Sequence, residues 1–250
     1  MKALILAAGY ATRLYPLTKE YPKPLLMVKK RAIIDFIIDK LKTIKEIDEI
    51  IVVTNSRFIL QFEQWRSTLA IKNRISLVDD LTKDNRSRRG AIGDTYFAIR
   101  RRRLKDDLLV IGGDNLFDAD LKGFLLFAKA RKRSPVLGAY NIRNKLNAKK
   151  YGVVSLDKEN RLIDFKEKPK NPASTLVAMC LYYFPKETLR FIKEYLNRKE
   201  KKYDATGLYI DWLRKRVAVF AFVFKGRWFD IGDYKFYNQA REAFIKQEGL

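Results

Sequence analysis

The chain contains no histidine. That single absence removes serine–histidine–aspartate hydrolysis, cysteine–histidine proteolysis and histidine-ligated zinc. An enzyme built from this sequence must work with carboxylates, lysine, arginine, tyrosine and backbone dipoles. Cysteine is nearly absent too. Cys180 is the only one, which excludes an intrachain disulfide and a cysteine-cluster metal site and reads as a buried, inert thiol. Seven prolines and twelve glycines in 250 residues are too few for long disordered tracts. No apolar run reaches the roughly 18 residues of a membrane span, so no membrane partner is expected. The apolar N-terminus lacks a basic leader and a cleavage pattern, and reads as a core strand, not a signal peptide. Sparse cysteine and no export signal together give a cytoplasmic protein as the expectation.

Negative charge is also scarce, with 29 Asp plus Glu against 52 Lys plus Arg and a net charge of +23. Such an excess attracts anions and raises their encounter rate. The basic residues cluster at Arg86, Arg88 and Arg89, and again at Arg100–Arg103 with Lys105. Neither cluster has interleaved aromatics or a nucleic-acid motif. Both read as solvated helix ends, and nucleic acid is not the expected partner despite the charge.

Apolar residues make up 47% of the chain, enough for a real core in one large domain or two small ones. Short apolar runs alternate with amphipathic stretches in the first half. Strands are expected at Ala3–Leu6, Ile50–Thr54, Ile75–Val78 and Leu108–Ile111. Helices are expected near Ile33–Thr43, Phe58–Leu69, Ile92–Arg101 and Leu121–Arg131. This is an α/β pattern with a mostly parallel central sheet. The second half differs. Gly152–Leu156 and Leu162–Lys166 flank Asp157-Lys158-Glu159-Asn160, a hairpin signal. Further strands are expected at Val136–Tyr140, Leu176–Phe184 and Ala218–Phe224, with helices at Lys186–Asn197, Gly207–Lys215 and Tyr234–Lys246. No linker or repeat interrupts the chain, so a single domain over about 1–245 is the simplest organisation, in two halves near 1–115 and 116–230.

Three stretches carry chemistry. The run Ala3–Ala8 leads directly into Gly9, Ala11, Thr12 and Arg13, and Lys23 follows between two prolines. A buried strand feeding a small-residue loop with a placed arginine suits a polyphosphate, since backbone N–H groups approach phosphate only where side chains are small. Arg13 and Lys23 add charge there. Gly112-Gly113-Asp114-Asn115 ends a strand at the position where ligands bind in such sheets. Its aspartate suits either Mg²⁺ or the cap of a following helix. In Trp228-Phe229-Asp230-Ile231-Gly232-Asp233, the last aspartate reads as a helix N-cap.

Residues 6–25 resemble the signature of the sugar-1-phosphate nucleotidyltransferases, L-A-A-G-x-G-T-R-L-x-P-L-T-x-x-x-P-K-P-L, with Ala11 in place of its second glycine. Weaker matches extend the resemblance over about 1–245. It implies a Rossmann-like fold in which an inserted antiparallel hairpin forms the sugar-binding half. It also implies nucleotide binding by Leu6, Ala7, Ala8, Gly9, Ala11, Thr12 and Gly90, catalysis by Arg13 and Lys23, and Mg²⁺ on Asp114 and Asp230. Sugar-phosphate binding falls to Gly152 of Tyr-Gly-Val-Val and to Glu167 and Lys168 of Glu-Lys-Pro. On the residues alone, that last triplet is an ordinary surface turn.

The implied reaction joins an NTP and a sugar-1-phosphate to give an NDP-sugar and pyrophosphate. The closest type is glucose-1-phosphate thymidylyltransferase, using dTTP or UTP. The alternatives are a uridylyl- or cytidylyltransferase for another sugar or alcohol phosphate, a non-catalytic regulatory subunit, or a basic nucleic-acid-binding module. Relatives are often oligomers, which makes a homo-oligomer the expectation. Many also carry a C-terminal β-helix, expected to be missing here. In the region expected along the base, Asp79, Asp80 and Thr82 stand where relatives place a glutamine.

Overall fold

The computed structural model describes residues 1–198 and 205–245. They form two compact units. The first comprises Met1–Arg88, Ile111–Asp118 and the chain from Gly226 onward; the second comprises Arg89–Val110 and Ala119–Lys225. The fold class is α/β with a mostly parallel central sheet flanked by helices, as expected. None of the described helices is long and apolar enough to cross a membrane.

In the first unit, strand Lys2–Leu6 pairs in parallel with Glu49–Thr54, which pairs in parallel with Ile75–Asp79. Ala3, Leu4 and Ile5 are fully buried, as are Ile50 to Val53. Continuous apolar runs of this kind suit parallel strands covered on both faces. Helix Ile33–Lys42 buries Ile33, Ile34, Ile37, Ile38 and Leu41 at helical spacing. Asp35 fixes its start: one carboxylate oxygen accepts from Ala32 N at 2.9 Å and the other from Trp65 Nε1 at 2.8 Å. A smaller core joins Leu14, Leu26, Val28, Ile33, Leu116, Ile231, Tyr237 and Ala240. It gathers the N-terminal motif, this helix and the final helix around one apolar centre.

Short periodicity hides two ribbons, four strands in all, from the sequence reading. Asn115–Phe117 and Trp228–Asp230 form an antiparallel ribbon, and Met27–Val28 pairs with Arg31–Ala32. Pieces of two or three residues carry too few alternations to register as strands. The final helix begins at Tyr234, with Phe236 N donating to Asp233 Oδ1 at 3.0 Å, so Asp233 caps as expected. The end proposed at Lys246 lies outside the described residues.

In the second unit the expected hairpin is present, Gly152–Leu156 against Leu162–Glu167. Leu176–Phe184 runs antiparallel to Val136–Asn141, which also pairs in parallel with Phe220–Phe224. Helices Gly90–Arg102, Lys122–Ala130 and Thr206–Arg214 accompany these strands. Instead of one helix over Lys186–Asn197, a 3-10 turn at Lys186–Thr188 precedes helix Arg190–Leu196. Thr188 donates through both N and Oγ1 to Pro185 O, which tightens that first turn.

Asp35→Ala removes a helix-start acceptor and the partner of a half-buried indole together. A loss of about 1–2 kcal/mol is expected, read as a lowered urea midpoint with unchanged slope.

Candidate active site

The loop after the first strand is anchored on both sides of Gly9. Ala7 N donates to Val53 O at 2.8 Å, and Asn55 Nδ2 donates to Ala8 O at 2.9 Å. Asn55 is itself fully buried and holds Phe58 N through Oδ1. Thr18 Oγ1 donates to Ala11 O at 2.8 Å. Gly9 is exposed between these anchors, and a Cβ there would meet no protein atom within 4 Å. Neither crowding nor a positive φ demands glycine at position 9. Ala11 does take a left-handed conformation, φ 47° and ψ 41°. A side chain there costs energy that the related glycine avoids.

Thr12–Leu14 forms a short 3-10 turn directly after Ala11. Leu14 is buried in the small core while Arg13 remains exposed. A Cβ on Gly232 would lie 3.9 Å from both terminal nitrogens of Arg13 and 4.0 Å from Asp230 Oδ2. The guanidinium and that carboxylate therefore flank the same spot.

Lys23 sits at the start of a second 3-10 turn, Lys23–Leu25, fixed by the prolines on either side. Its Nζ donates to Asp114 Oδ2 at 2.5 Å and to Ile231 O at 2.9 Å. Asp114 is placed by the glycine before it. Gly113 N donates to Leu6 O at 2.9 Å. A Cβ on Gly113 would stand 2.9 Å from that same oxygen and 3.2 Å from Pro24. Ile231 N donates to Asp114 O at 3.2 Å, and Asp230 pairs with Asn115 across the ribbon. Asp114, in the turn just before strand Asn115–Phe117, and Asp230, at the end of strand Trp228–Asp230, are 116 positions apart by their numbers and meet at the same end of the ribbon. Trp228 Nε1 donates to Asn115 Oδ1 at 2.7 Å and steadies the ribbon.

The first unit thus brings together Leu6, Ala7, Ala8, Gly9, Ala11, Thr12, Arg13, Lys23, Asp114 and Asp230. Gly90, Gly152, Glu167 and Lys168 belong to the second unit. Gly90 opens its helix at φ 75°, which explains glycine there. A Cβ on Gly152 would stand 2.2 Å from Phe165 Cζ, and one on Gly207 would stand 2.0 Å from Glu167 Oε2. The Phe165 ring and the Glu167 carboxylate both need glycine neighbours. Burial pushes the Glu167 carboxyl up from its ordinary value, partly offset by Lys168. The Lys168 ammonium is 3.9 Å from Glu167 Oε1 and mostly exposed. Tyr182 is fully enclosed beside Cys180, Glu167 and Thr206, and burial raises its hydroxyl well above the usual value.

Asp80 and Thr82 do not offer free edges to a base. They are 1% and 4% exposed. Thr82 Oγ1 donates to Asp80 at 2.7 Å, and Tyr10 Oη lies 2.9 Å from that hydroxyl. Asp79 accepts from Ser56 Oγ at 2.8 Å and from Leu81 N at 2.8 Å. Sequence reasoning also passed over Tyr10, Asn55 and Gly113. The adjacent glycine pair was the one visible signal for Gly113.

Gly113→Ala forces a methyl onto a backbone oxygen. It is expected to cost about 1–3 kcal/mol, measured by thermal denaturation. Ala11→Gly relieves the left-handed residue and should stabilise by roughly 0.5–1 kcal/mol in the same assay.

The profile of the nucleotidyl transferase family matches residues 2–247. The chain is 30% identical over 236 residues to the bifunctional protein GlmU of Methanocaldococcus jannaschii, covering 93% of this chain and 51% of that protein. It is equally 30% identical over 236 residues to a Sulfolobus acidocaldarius protein assigned as a mannose-1-phosphate guanyltransferase, covering 93% and 60%. The chain therefore spans about half the length of the curated relatives it matches. Its fold is that of a Bacillus anthracis protein assigned as a glucose-1-phosphate thymidylyltransferase and crystallised with sucrose, at TM-score 0.84 and 23% identity, covering 97% of this chain and 94% of that one. Together with the anchored N-terminal loop and the two aspartates at the ribbon, the match over nearly the whole sequence settles its family: the chain belongs to the nucleotidyl transferases.

Proposed function

We propose that the chain is a sugar-1-phosphate nucleotidyltransferase. A phosphate oxygen of the sugar-1-phosphate attacks the α-phosphorus of an NTP. The α–β phosphoanhydride bond breaks, and pyrophosphate leaves. The attacking oxygen is already anionic near neutral pH, so no general base is required, consistent with a chain that lacks histidine. Positioning and charge stabilisation carry such a reaction.

The observation that carries this reading is the convergence of Lys23, Asp114, Asp230 and Arg13 beside the loop. Gly9 and its neighbours would accept the triphosphate through backbone N–H groups. Arg13 would meet the charge that develops on the leaving pyrophosphate. Lys23 has two of its three N–H bonds committed to Asp114 and Ile231, and would direct the third to a phosphate oxygen. Asp114 and Asp230 form an all-oxygen donor pair of the hard kind that Mg²⁺ prefers, and one of them already accepts a cation. When bound there, Mg²⁺ would supply charge neutralisation on the reacting phosphates. In the second unit, Glu167 would accept sugar hydroxyls and Lys168 would contact the sugar phosphate, with Gly152 at the ring. Gly90 would lie along the nucleotide.

Within this class we favour glucose-1-phosphate with dTTP or UTP, the type suggested by the motif resemblance and carried in the name of a protein that shares the fold. A uridylyl- or cytidylyltransferase for another sugar or alcohol phosphate is the competing assignment. Use of NTP and sparse cysteine agree with work in the cytoplasm, and a homo-oligomer follows from the same resemblance.

Pyrophosphate release across four NTPs and a panel of sugar-1-phosphates tests the assignment. Arg13→Ala and Asp114→Ala should each lower kcat by about 10²–10³; near-normal turnover in both would defeat it. Glu167 adds a pH signature. Its raised pKa means that the accepting carboxylate is lost at a higher pH than for an ordinary glutamate as the medium is acidified. KM for the sugar phosphate should therefore rise early on acidification, and Glu167→Gln should flatten that rise.

A further inference from the structure

Three buried polar side chains lie behind the N-terminal loop and have no part in the chemistry above. Tyr10, Thr82 and Asp80 are 3%, 4% and 1% exposed. The direction of their hydrogen bonds is fixed. Asp80 accepts from Thr82 N at 2.7 Å and from Thr82 Oγ1 at 2.7 and 3.0 Å. That spends the only hydrogen of the threonine hydroxyl, so its oxygen accepts from Tyr10 Oη at 2.9 Å. Burial raises the Tyr10 hydroxyl above its ordinary value, which keeps it a donor at any working pH.

Both ends of this chain of bonds refer to one frame. Asp80 N donates to Thr54 O at 2.8 Å, and Ser56 N donates to Thr82 O at 2.9 Å. The neighbouring residue Val53 holds Ala7 N. Tyr10 itself stands between the exposed Gly9 and the left-handed Ala11, and its ring packs at a tilt on Phe58, 6.5 Å between centroids. Two residues beyond Ala11 comes Arg13. The Tyr10 hydroxyl thus ties the loop to Thr82, three residues beyond strand Ile75–Asp79. Burying a carboxylate and two hydroxyls is costly where apolar groups would fill the same volume, unless the geometry they impose is needed.

We propose that Asp80, Thr82 and Tyr10 are positioning residues, a buried relay that holds the loop at the angle presenting Arg13 and the Gly9 backbone to the triphosphate. The proposal rests on the nucleotidyltransferase reading and deepens it. It assigns Thr82 and Asp80 to the geometry of the phosphate site, not to reading the base.

The test compares Tyr10→Phe, Thr82→Val, their double variant and Thr82→Ser with the unaltered protein. Measured are kcat, KM for both substrates, thermal midpoint, and the affinity for inorganic pyrophosphate by calorimetry. Tyr10→Phe and Thr82→Val should each lose about ten-fold in kcat and in pyrophosphate affinity, with KM for the sugar phosphate unchanged. The double variant should lose no more than the worse single one, because both cut the same relay. Thr82→Ser, which keeps the hydroxyl, should recover to within about two-fold. Wild-type kcat and pyrophosphate affinity in the variants, with only the midpoint lowered, would overturn the relay. So would multiplicative losses in the double variant, or an unaltered protein that binds no pyrophosphate. If the unaltered protein turns over no NTP, the functional reading alone fails; the pyrophosphate arm still decides the relay, which stands only if Tyr10→Phe weakens that binding.

Discussion

The candidate site depends on one close approach of backbone to backbone. Gly113 donates to Leu6 O and leaves no room for a methyl against that oxygen or Pro24. The contact ties three separate segments together: the end of the first strand, the Pro-Lys-Pro turn and the Gly-Gly-Asp segment. Once these are locked, Lys23 and Asp114 have little freedom, and their ion pair at 2.5 Å follows from the backbone. The ribbon adds Asp230 by pairing it with Asn115. Glycine at position 113 is thus a steric requirement that sets the distances between charges.

This arrangement also clarifies which small residues serve the fold and which leave space. Gly113, Gly152 and Gly207 are each pressed by a named neighbour within the protein. Gly9 is pressed by none, and its φ is not in the left-handed region. The loop's remaining order comes from hydrogen bonds to Asn55, Thr18 and Thr82, not from packing at the glycine. A loop that is anchored at Ala7, Ala8, Tyr10 and Ala11 while Gly9 faces outward is preorganised before anything binds, which spares the entropy of ordering it later.

Much of the fold was legible because its strands are long apolar runs. Gly152–Leu156 and Leu176–Phe184 fall where the sequence placed them, and Ile33–Lys42 differs by one residue from its expected span. The motif residues were legible as residue types, since Arg13, Lys23 and Asp114 stand in distinctive company. What escaped were features that depend on distant partners. The ribbon strands are three residues each and have no period of their own. Asp80 and Thr82 look like exposed polar residues in sequence, yet they satisfy one another in the interior. The break between Lys186–Thr188 and Arg190–Leu196 reflects a local hydroxyl bond to Pro185 that helical propensity does not encode.

The ribbon has a consequence for the order in which the protein is made. Asn115–Phe117 emerges from the ribosome first, and its partner Trp228–Asp230 emerges more than a hundred residues later. Until then Asp114 stands without its neighbouring acid, and Lys23 without the Ile231 carbonyl. Nascent chains fold from the N-terminal side as they appear, so strand Asn115–Phe117 waits for its partner in the ribbon while the parallel strands of the first unit are already in hand. A translating chain therefore carries the loop, Arg13 and Lys23 long before it carries Asp230 and can close the ribbon.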